Sequence, residues 1–252
     1  MRFPLLIFLL AFFGLSLSVR LGIFLAQRLR ILDDKEVRED FAVVQAATLT
    51  LLGILIGFNF SMSVSRYDQR KNCEEEESNA IGTEYLRLDL LPPADAATAK
   101  ELLRKYLDQR IRFYVVNDSS RLVEINRNTE QLQAGLWSTV RHGVAGQPAA
   151  TVVLTVSGLN DALNSRGYTE AAWLNRIPVA AWFLIGAVAL FACLLLGVGA
   201  HKANRLLILV LPFVTSIAFF LIADLDSPRR GMIHVHPQNM ESLSESLKAQ
   251  AR

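Results

Sequence analysis

The residues best suited to chemistry in this sequence form a polar stripe on one apolar segment. Gln45, Thr48, Asn59 and Ser63 interrupt the run 41–64, which carries no charged residue. At about 100° per residue these four side chains fall on one face of a helix. Polar groups along an apolar helix can keep an ion partly solvated, so the pattern indicates a path for ions through a membrane.

Three large apolar side chains lie on the same face, between the two polar pairs: Leu52, Leu55 and Ile56. A ring of such residues can close a pore by dewetting. One helix cannot enclose a path, so the hypothesis requires several copies around an axis and therefore a homo-oligomer. The alternative is ordinary helix packing within one bundle, in which Gly53 and Gly57 would also take part.

A charged sequence follows this run without a helix breaker. Arg66 and Arg70 share a helix face, and Arg70 can pair with Glu74. At the inner mouth of a pore such a group would concentrate or exclude ions according to their charge. The alternative is a solvated face with basic anchors at the membrane interface. The candidate vestibule residues are Arg66, Tyr67, Asp68, Arg70 and Glu74.

An acidic motif, Asp-x-Asp-x-Pro-x-x-Gly, ends the last apolar run at Asp224, Asp226, Pro228 and Gly231. Two carboxylates could contribute to a calcium site, but Ca²⁺ takes about six to eight oxygen ligands. The alternative is that they accept backbone hydrogen bonds or pair with arginines. We predict no metal site and no cofactor.

Four apolar stretches position these residues, at about 4–27, 41–64, 178–199 and 206–223. Each is close to the roughly 20 residues that cross a bilayer as a helix. The first also resembles a signal peptide, but its apolar character resumes after Arg20, which favours a retained helix. The sequence therefore predicts a multi-pass protein of the cell inner (cytoplasmic) membrane, in contact with lipid.

The region between the second and third stretches is polar and mostly helical in pattern. Pro92-Pro93 ends its first helix. Residues 151–163 begin with strand-forming TVVLTV, but a lone strand among helices would have no partner, so a helix is predicted. The fold class is an all-α membrane protein with four transmembrane helices. Its parts are a first helix pair (1–64), a helical cytoplasmic domain (65–177), a second helix pair (178–224) and a cytoplasmic tail (225–252).

Several classes of function are excluded. Acidic and basic residues nearly balance in the central region, which is not typical of a nucleic-acid-binding protein. The sequence has no Gly-rich phosphate loop, no Gly-x-Ser-x-Gly elbow and no His-Glu-x-x-His motif, so we predict that it is not an enzyme.

Two segments carry a family resemblance. Residues 51–92 and 223–231 resemble the bacterial bestrophin-like domain family of unknown function, whose members have two helices, a central polar domain, two more helices and the acidic tail motif. More distantly, Gly57-Phe58 and Tyr67-Asp68 are similar to motifs of bestrophin channels. Gln69, Arg229 and Arg230 depart from the channel motifs.

The resemblance implies a homopentamer with cytoplasmic termini and a pore neck lined by apolar residues of the second helix. Leu52, Leu55 and Ile56 would form that neck. Calcium control is not expected, because only Asp224 and Asp226 represent the acidic cluster of bestrophins. We therefore predict an oligomeric pore for small ions of undetermined sign. The alternative is a non-conducting scaffold or sensor that binds a partner through its cytoplasmic helices.

Overall fold

The computed structural model describes residues 4–29, 35–200 and 205–250, and every regular element among them is helical. A 3₁₀ turn, Leu88–Leu90, follows the second helix. In chain order the helices are α1 (Pro4–Leu29), α2 (Lys35–Arg87), α3 (Pro93–Val115), α4 (Ser119–Gly143), α5 (Ala149–Leu174), α6 (Val179–Gly199), α7 (Arg205–Ile208), α8 (Val210–Asp226) and α9 (Gln238–Gln250).

The chain divides into two compact units. Unit 1 contains residues 1–66 and 176–234, and unit 2 contains 67–175 and 235–252. The expected tail, 225–252, is shared between the two units.

Within the described residues, four helical stretches are long and apolar enough to cross a membrane, and they contain α1, α2, α6 and α8. The prediction of a helix at 151–163 is confirmed, and that helix continues to Leu174. The predicted fourth stretch is interrupted at Leu209, between α7 and α8. Pro212 explains the interruption, because proline has no N–H for the carbonyl four residues earlier and its ring collides with it.

In unit 1, α1 and α6 cross at two glycines. A Cβ atom on Gly22 would collide with the carbonyl oxygen of Leu194, and one on Gly197 would collide with the carbonyl oxygen of Val19. The Ser18 hydroxyl donates to the Leu190 carbonyl oxygen at 2.7 Å. Small residues and hydrogen bonds between helices are the usual means of holding helices together in lipid, where the hydrophobic effect gives no help.

The rest of the unit 1 core joins α1, α2, α6 and α8. Leu15, Val19, Leu52, Ile185 and Phe219 belong to one buried apolar cluster. The rings of Phe8 and Phe12 each meet Phe213 edge to face, with centroids 6.1 Å apart. Such pairs stabilise a packed interface beyond their buried area.

The core of unit 2 is built from the second half of α2 together with α3, α4, α5 and α9. Pro93 lies at the start of α3, where its missing N–H costs nothing. The Asp118 carboxylate caps α4 by accepting from the Ser120 amide at 3.0 Å. The rings of Phe113, Tyr114 and Trp173 pack edge to face with centroids 5.1 to 5.7 Å apart.

We expect Gly22→Ala to destabilise the protein by about 1–3 kcal/mol, the usual cost of overpacking. The new methyl group meets a backbone oxygen of α6, which cannot move aside as a flexible side chain can. Thermal unfolding of the purified protein in detergent measures the effect as a lower Tm.

Gly14→Ala is the matched control on the same helix, because a Cβ atom at Gly14 meets nothing within 4 Å. Its free energy of unfolding should change by no more than an ordinary surface substitution causes, about 0.5 kcal/mol. Its Tm should therefore stay close to the wild-type value. Equal Tm values for the two variants would contradict the close crossing.

Candidate functional site

The predicted stripe on α2 lies inside unit 1. Leu52 is 2% exposed, Asn59 is 8% exposed and Ser63 is fully buried. Leu55 and Ile56 are half-buried against the apolar cluster that contains Leu52. The burial of Leu52, Asn59 and Ser63 within a single chain is what the alternative of ordinary helix packing predicts.

The polar members of the stripe form hydrogen bonds to their own helix. Thr48 Oγ1 donates to the Val44 carbonyl at 2.8 Å, and Asn59 Nδ2 donates to the Leu55 carbonyl at 2.8 Å. Ser63 Oγ donates to the Asn59 carbonyl at 2.9 Å. Because these donors are satisfied four residues back along the helix, Asn59 and Ser63 can be buried without water. Gln45 is half-buried.

The opposite face of α2 is open. Ile54 is 51% exposed, Phe58 is 68% exposed, and Thr50 is exposed one turn before them. A Cβ atom on Gly53 or Gly57 would meet nothing within 4 Å, so these glycines do not pack inside the bundle as the alternative supposed. Sequence reasoning missed this face. The Gly57-Phe58 pair, which already carried a resemblance to bestrophin channels, was the signal that could have found it.

The first carboxylate of the tail motif folds the chain after α8. Asp224 Oδ1 accepts from the Met232 amide at 2.7 Å, and Oδ2 accepts from the Ile233 amide at 2.8 Å. A Cβ atom on Gly231 would lie 2.5 Å from the Asp224 carbonyl oxygen, so the loop requires glycine there. Pro228 is buried in the same loop. Asp224 thus has the role of a backbone acceptor, as one of the two alternatives predicted.

The second carboxylate joins three helices of unit 1. Asp226 Oδ1 accepts from the Ile177 amide at 2.9 Å, next to the start of α6, and lies 3.3 Å from Arg66 Nη1 on α2. Asp226 itself is 4% exposed. Among the described residues, no three His, Cys, Asp or Glu side chains form a group that could hold a metal ion.

The predicted vestibule residues do not share one solvated surface. Arg70 and Glu74 are each 1% exposed and belong to the core of unit 2. The Glu74 carboxylate accepts from Asn239 Nδ2 at 2.6 Å and from the Met240 amide at 3.0 Å, at the start of α9. Tyr67 is half-buried against the core of unit 2, and only Asp68 is exposed. The alternative of a solvated face is therefore wrong for Arg70 and Glu74.

A buried ionic network in unit 2 has no counterpart in the sequence analysis. The Arg110 guanidinium donates to both oxygens of Glu77, and both side chains are fully buried. Thr169 Oγ1 donates to Glu77 Oε2 at 2.7 Å. Burial raises the pKa of Tyr106 and Tyr114 nearby, so both phenols stay neutral. The network ties α2, α3 and α5 together, and such pairs across 33 residues leave no local pattern.

Glu84 is a buried carboxyl group of a different kind. It is fully buried in unit 2, and neither of its oxygens has a hydrogen-bond partner among the described residues. Burial raises its pKa to about 8, the charge of Arg87 opposes the rise, and Asp161 adds to it. Glu84 is therefore mostly protonated near neutral pH.

The geometry defines a class of protein. A chain whose described residues are helical, with four stretches long and apolar enough to cross a membrane, has the features of a membrane protein. The bestrophin-like domain matches residues 10–240, so the chain belongs to the bestrophin-like family. This confirms the resemblance found in the sequence, and family and apolar helices together indicate a membrane location. No curated protein matches the chain.

Solved structures show the same fold. A bacterial bestrophin homologue from Klebsiella pneumoniae with a leucine-to-threonine substitution matches with a TM-score of 0.71 at 14% identity, over 98% of each chain. Another structure of a Klebsiella pneumoniae bestrophin homologue matches with a TM-score of 0.67 at 15% identity, over 97% of each chain. A structure described as a membrane protein matches at 0.66 and 16% identity, over 94% of this chain and 95% of that one. At these identities the similarity establishes the bestrophin fold.

We expect the stability of the protein to fall as pH rises from about 4.5 to about 8, because Glu84 keeps its proton in the folded state over that range. In the unfolded chain the same group ionises near its ordinary pKa, so folding takes up a proton between these limits. The Glu84→Gln variant removes this contribution. The Tm values of this variant, measured in detergent at pH 5 and pH 8, should then differ less than those of the wild type. The contribution of Glu84 to the change in the free energy of unfolding between these pH values is a few kcal/mol at most.

Glu76→Gln is the control, because Glu76 is an exposed glutamate on the same helix. It should keep the pH dependence of the wild type. The assignment of Glu84 is overturned when Glu84→Gln and Glu76→Gln show the same difference in Tm between the two pH values.

Proposed function

We propose that the protein is an oligomeric pore for small ions in the inner membrane, with α2 as its wall. Four helices cross the membrane, both termini and unit 2 are cytoplasmic, and five copies surround the axis as the family resemblance implies. No enzymatic step is part of this function. The observation that carries the proposal is the open face of α2 in a single protomer.

Of the four apolar stretches, the one in α2 is the least covered by its own chain. Only 6% of its most apolar window is buried, against 39% for the stretch that contains α8. A central helix of an assembly has this property, because other copies supply the missing contacts. Gly53 and Gly57, one turn apart on the open face, support close approach of neighbouring helices.

The side chains of the open face also suit a hydrophobic constriction. Thr50, Ile54 and Phe58 follow one another at intervals of four residues, so they form one line along the helix. Copies of Ile54 and Phe58 around an axis would make apolar rings that gate by dewetting, with Thr50 as a polar ring beside them. The neck proposed here therefore consists of Thr50, Ile54 and Phe58. It replaces the neck of Leu52, Leu55 and Ile56 that the sequence analysis predicted.

The original stripe then forms the layer behind the wall. Leu52, Asn59 and Ser63 hold α2 against the other helices of its own protomer, as their burial supports. The half-buried members of the stripe lie between the open face and the buried face of α2. They are Gln45, Thr48, Leu55 and Ile56. Among the vestibule candidates, the exposed Asp68 is the one able to face an ion.

Planar-bilayer recording of the purified oligomer tests this proposal. We expect Ile54→Ala and Phe58→Ala to increase the ion current several-fold, because each substitution widens an apolar ring and makes dewetting less favourable. Leu52→Ala is the matched control on the buried face. It should lower the free energy of unfolding by about 2–5 kcal/mol, as is typical of a buried leucine, and so lower Tm. The current of the folded fraction should stay unchanged.

Two outcomes contradict the proposal. A monomer in detergent leaves no axis for a pore. Silence of the wild type and both widened variants in a well-folded oligomer favours the other candidate, a scaffold or sensor that binds a partner through unit 2. One observation favours the scaffold or sensor: two apolar side chains of α5 are exposed, Val153 at 65% and Leu154 at 48%.

A further inference from the structure

One oxygen atom at the end of α8 contacts both α2 and the residue just before α6. Asp226, the last residue of α8, accepts the Ile177 amide just before α6 through Oδ1, at 2.9 Å. The same oxygen lies 3.3 Å from Nη1 of Arg66, the last residue of α2 in unit 1. The Arg66 side chain is 13% exposed and that of Asp226 is 6% exposed, so solvent screens this ion pair only weakly.

The loop after α8 fixes the position of the Asp226 carboxylate. Asp224, two residues before Asp226, accepts hydrogen bonds from the amides of Met232 and Ile233 with its two carboxylate oxygens. The Ser227 amide donates to the Asp224 carbonyl at 3.1 Å, and the absence of a side chain at Gly231 lets the loop close. Asp226 therefore cannot follow Arg66 if α2 rotates or slides, and the ion pair must break instead.

We propose that Asp226 is a positioning residue that sets, through Arg66, where the membrane part of α2 lies against α6 and α8. This deepens the proposed function and rests on it, because α2 is the proposed pore wall. Arg66 follows Phe58 by eight residues, about 12 Å along the same helix. A rotation of α2 that the Arg66 pair prevents would turn the Phe58 ring relative to the axis and change the open probability.

Neutral variants separate the two contacts of Asp226. Asp226→Asn keeps an oxygen that can accept the Ile177 amide and removes only the charge that holds Arg66. Arg66→Gln removes the guanidinium and leaves Asp226 with its backbone contact. Arg66→Gln also keeps the proposal testable if the Asn variant fails to fold. Glu76→Gln is the matched control, since Glu76 is an exposed carboxylate ten residues further along α2.

In single-channel recording, each neutral variant should change the open probability at least threefold. The double variant should change it no more than either single variant, because both remove the same interaction. Arg66→Lys should restore part of the wild-type behaviour, and Glu76→Gln should leave the open probability unchanged. A single-variant effect below threefold, or effects that multiply in the double variant, would overturn the positioning role.

Hydrogen exchange distinguishes failure of this inference from failure of the proposed function. In the oligomer, amide exchange across residues 60–70 should rise at least threefold in both neutral variants and equally in the double variant. If the wild type is silent but exchange rises in this way, the pore is wrong and Asp226 still positions α2. If exchange is unchanged, the positioning role is wrong whatever the current.

Discussion

The structure depends on one constraint: α2 is a single helix of 53 residues, and from Leu52 onward its buried residues lie on one face. Within each unit, the buried positions of α2 recur at helical spacing. In unit 1 they are apolar or small and polar, and in unit 2 several are charged. The buried positions of α2 are Leu52, Asn59, Ser63, Arg70, Glu74, Glu77, Ser78, Ile81, Glu84 and Tyr85.

The polar residues on that face are made compatible with burial in two different ways. In the apolar half, Asn59 and Ser63 donate to carbonyl groups of their own helix, so they need no partner on another helix. In the charged half the partners come from elsewhere in unit 2, as with Glu77, Arg110 and Thr169. A buried charge without a partner costs several kcal/mol, and Glu84 avoids that cost by keeping its proton.

Much of the fold was predictable because its signals are local. Apolar runs of about 20 residues and Pro92-Pro93 gave the main helices, and the absence of a breaker after Val64 gave the continuity of α2. The spacing of Asn59 and Ser63 also predicts that they share one face of a helix. Periodicity identifies a face but not its neighbour, so the water of a pore and the interior of a protomer predict the same pattern. Contacts such as Arg110 with Glu77 depend on tertiary structure, which no spacing rule supplies.

The two motifs behind the family resemblance have a common physical basis in unit 1. The segment after Gly57-Phe58 ends in Arg66, and the acidic tail motif contains Asp226, 160 residues away in sequence. The ion pair between them joins the interior of α2 to the end of α8, and the two hydrogen bonds of Asp224 hold the tail motif in place. The positive charge beside Asp226 is thus the guanidinium of Arg66, which the chain itself supplies. The tail motif can anchor α2 with an arginine, where two carboxylates alone would be too few ligands for calcium.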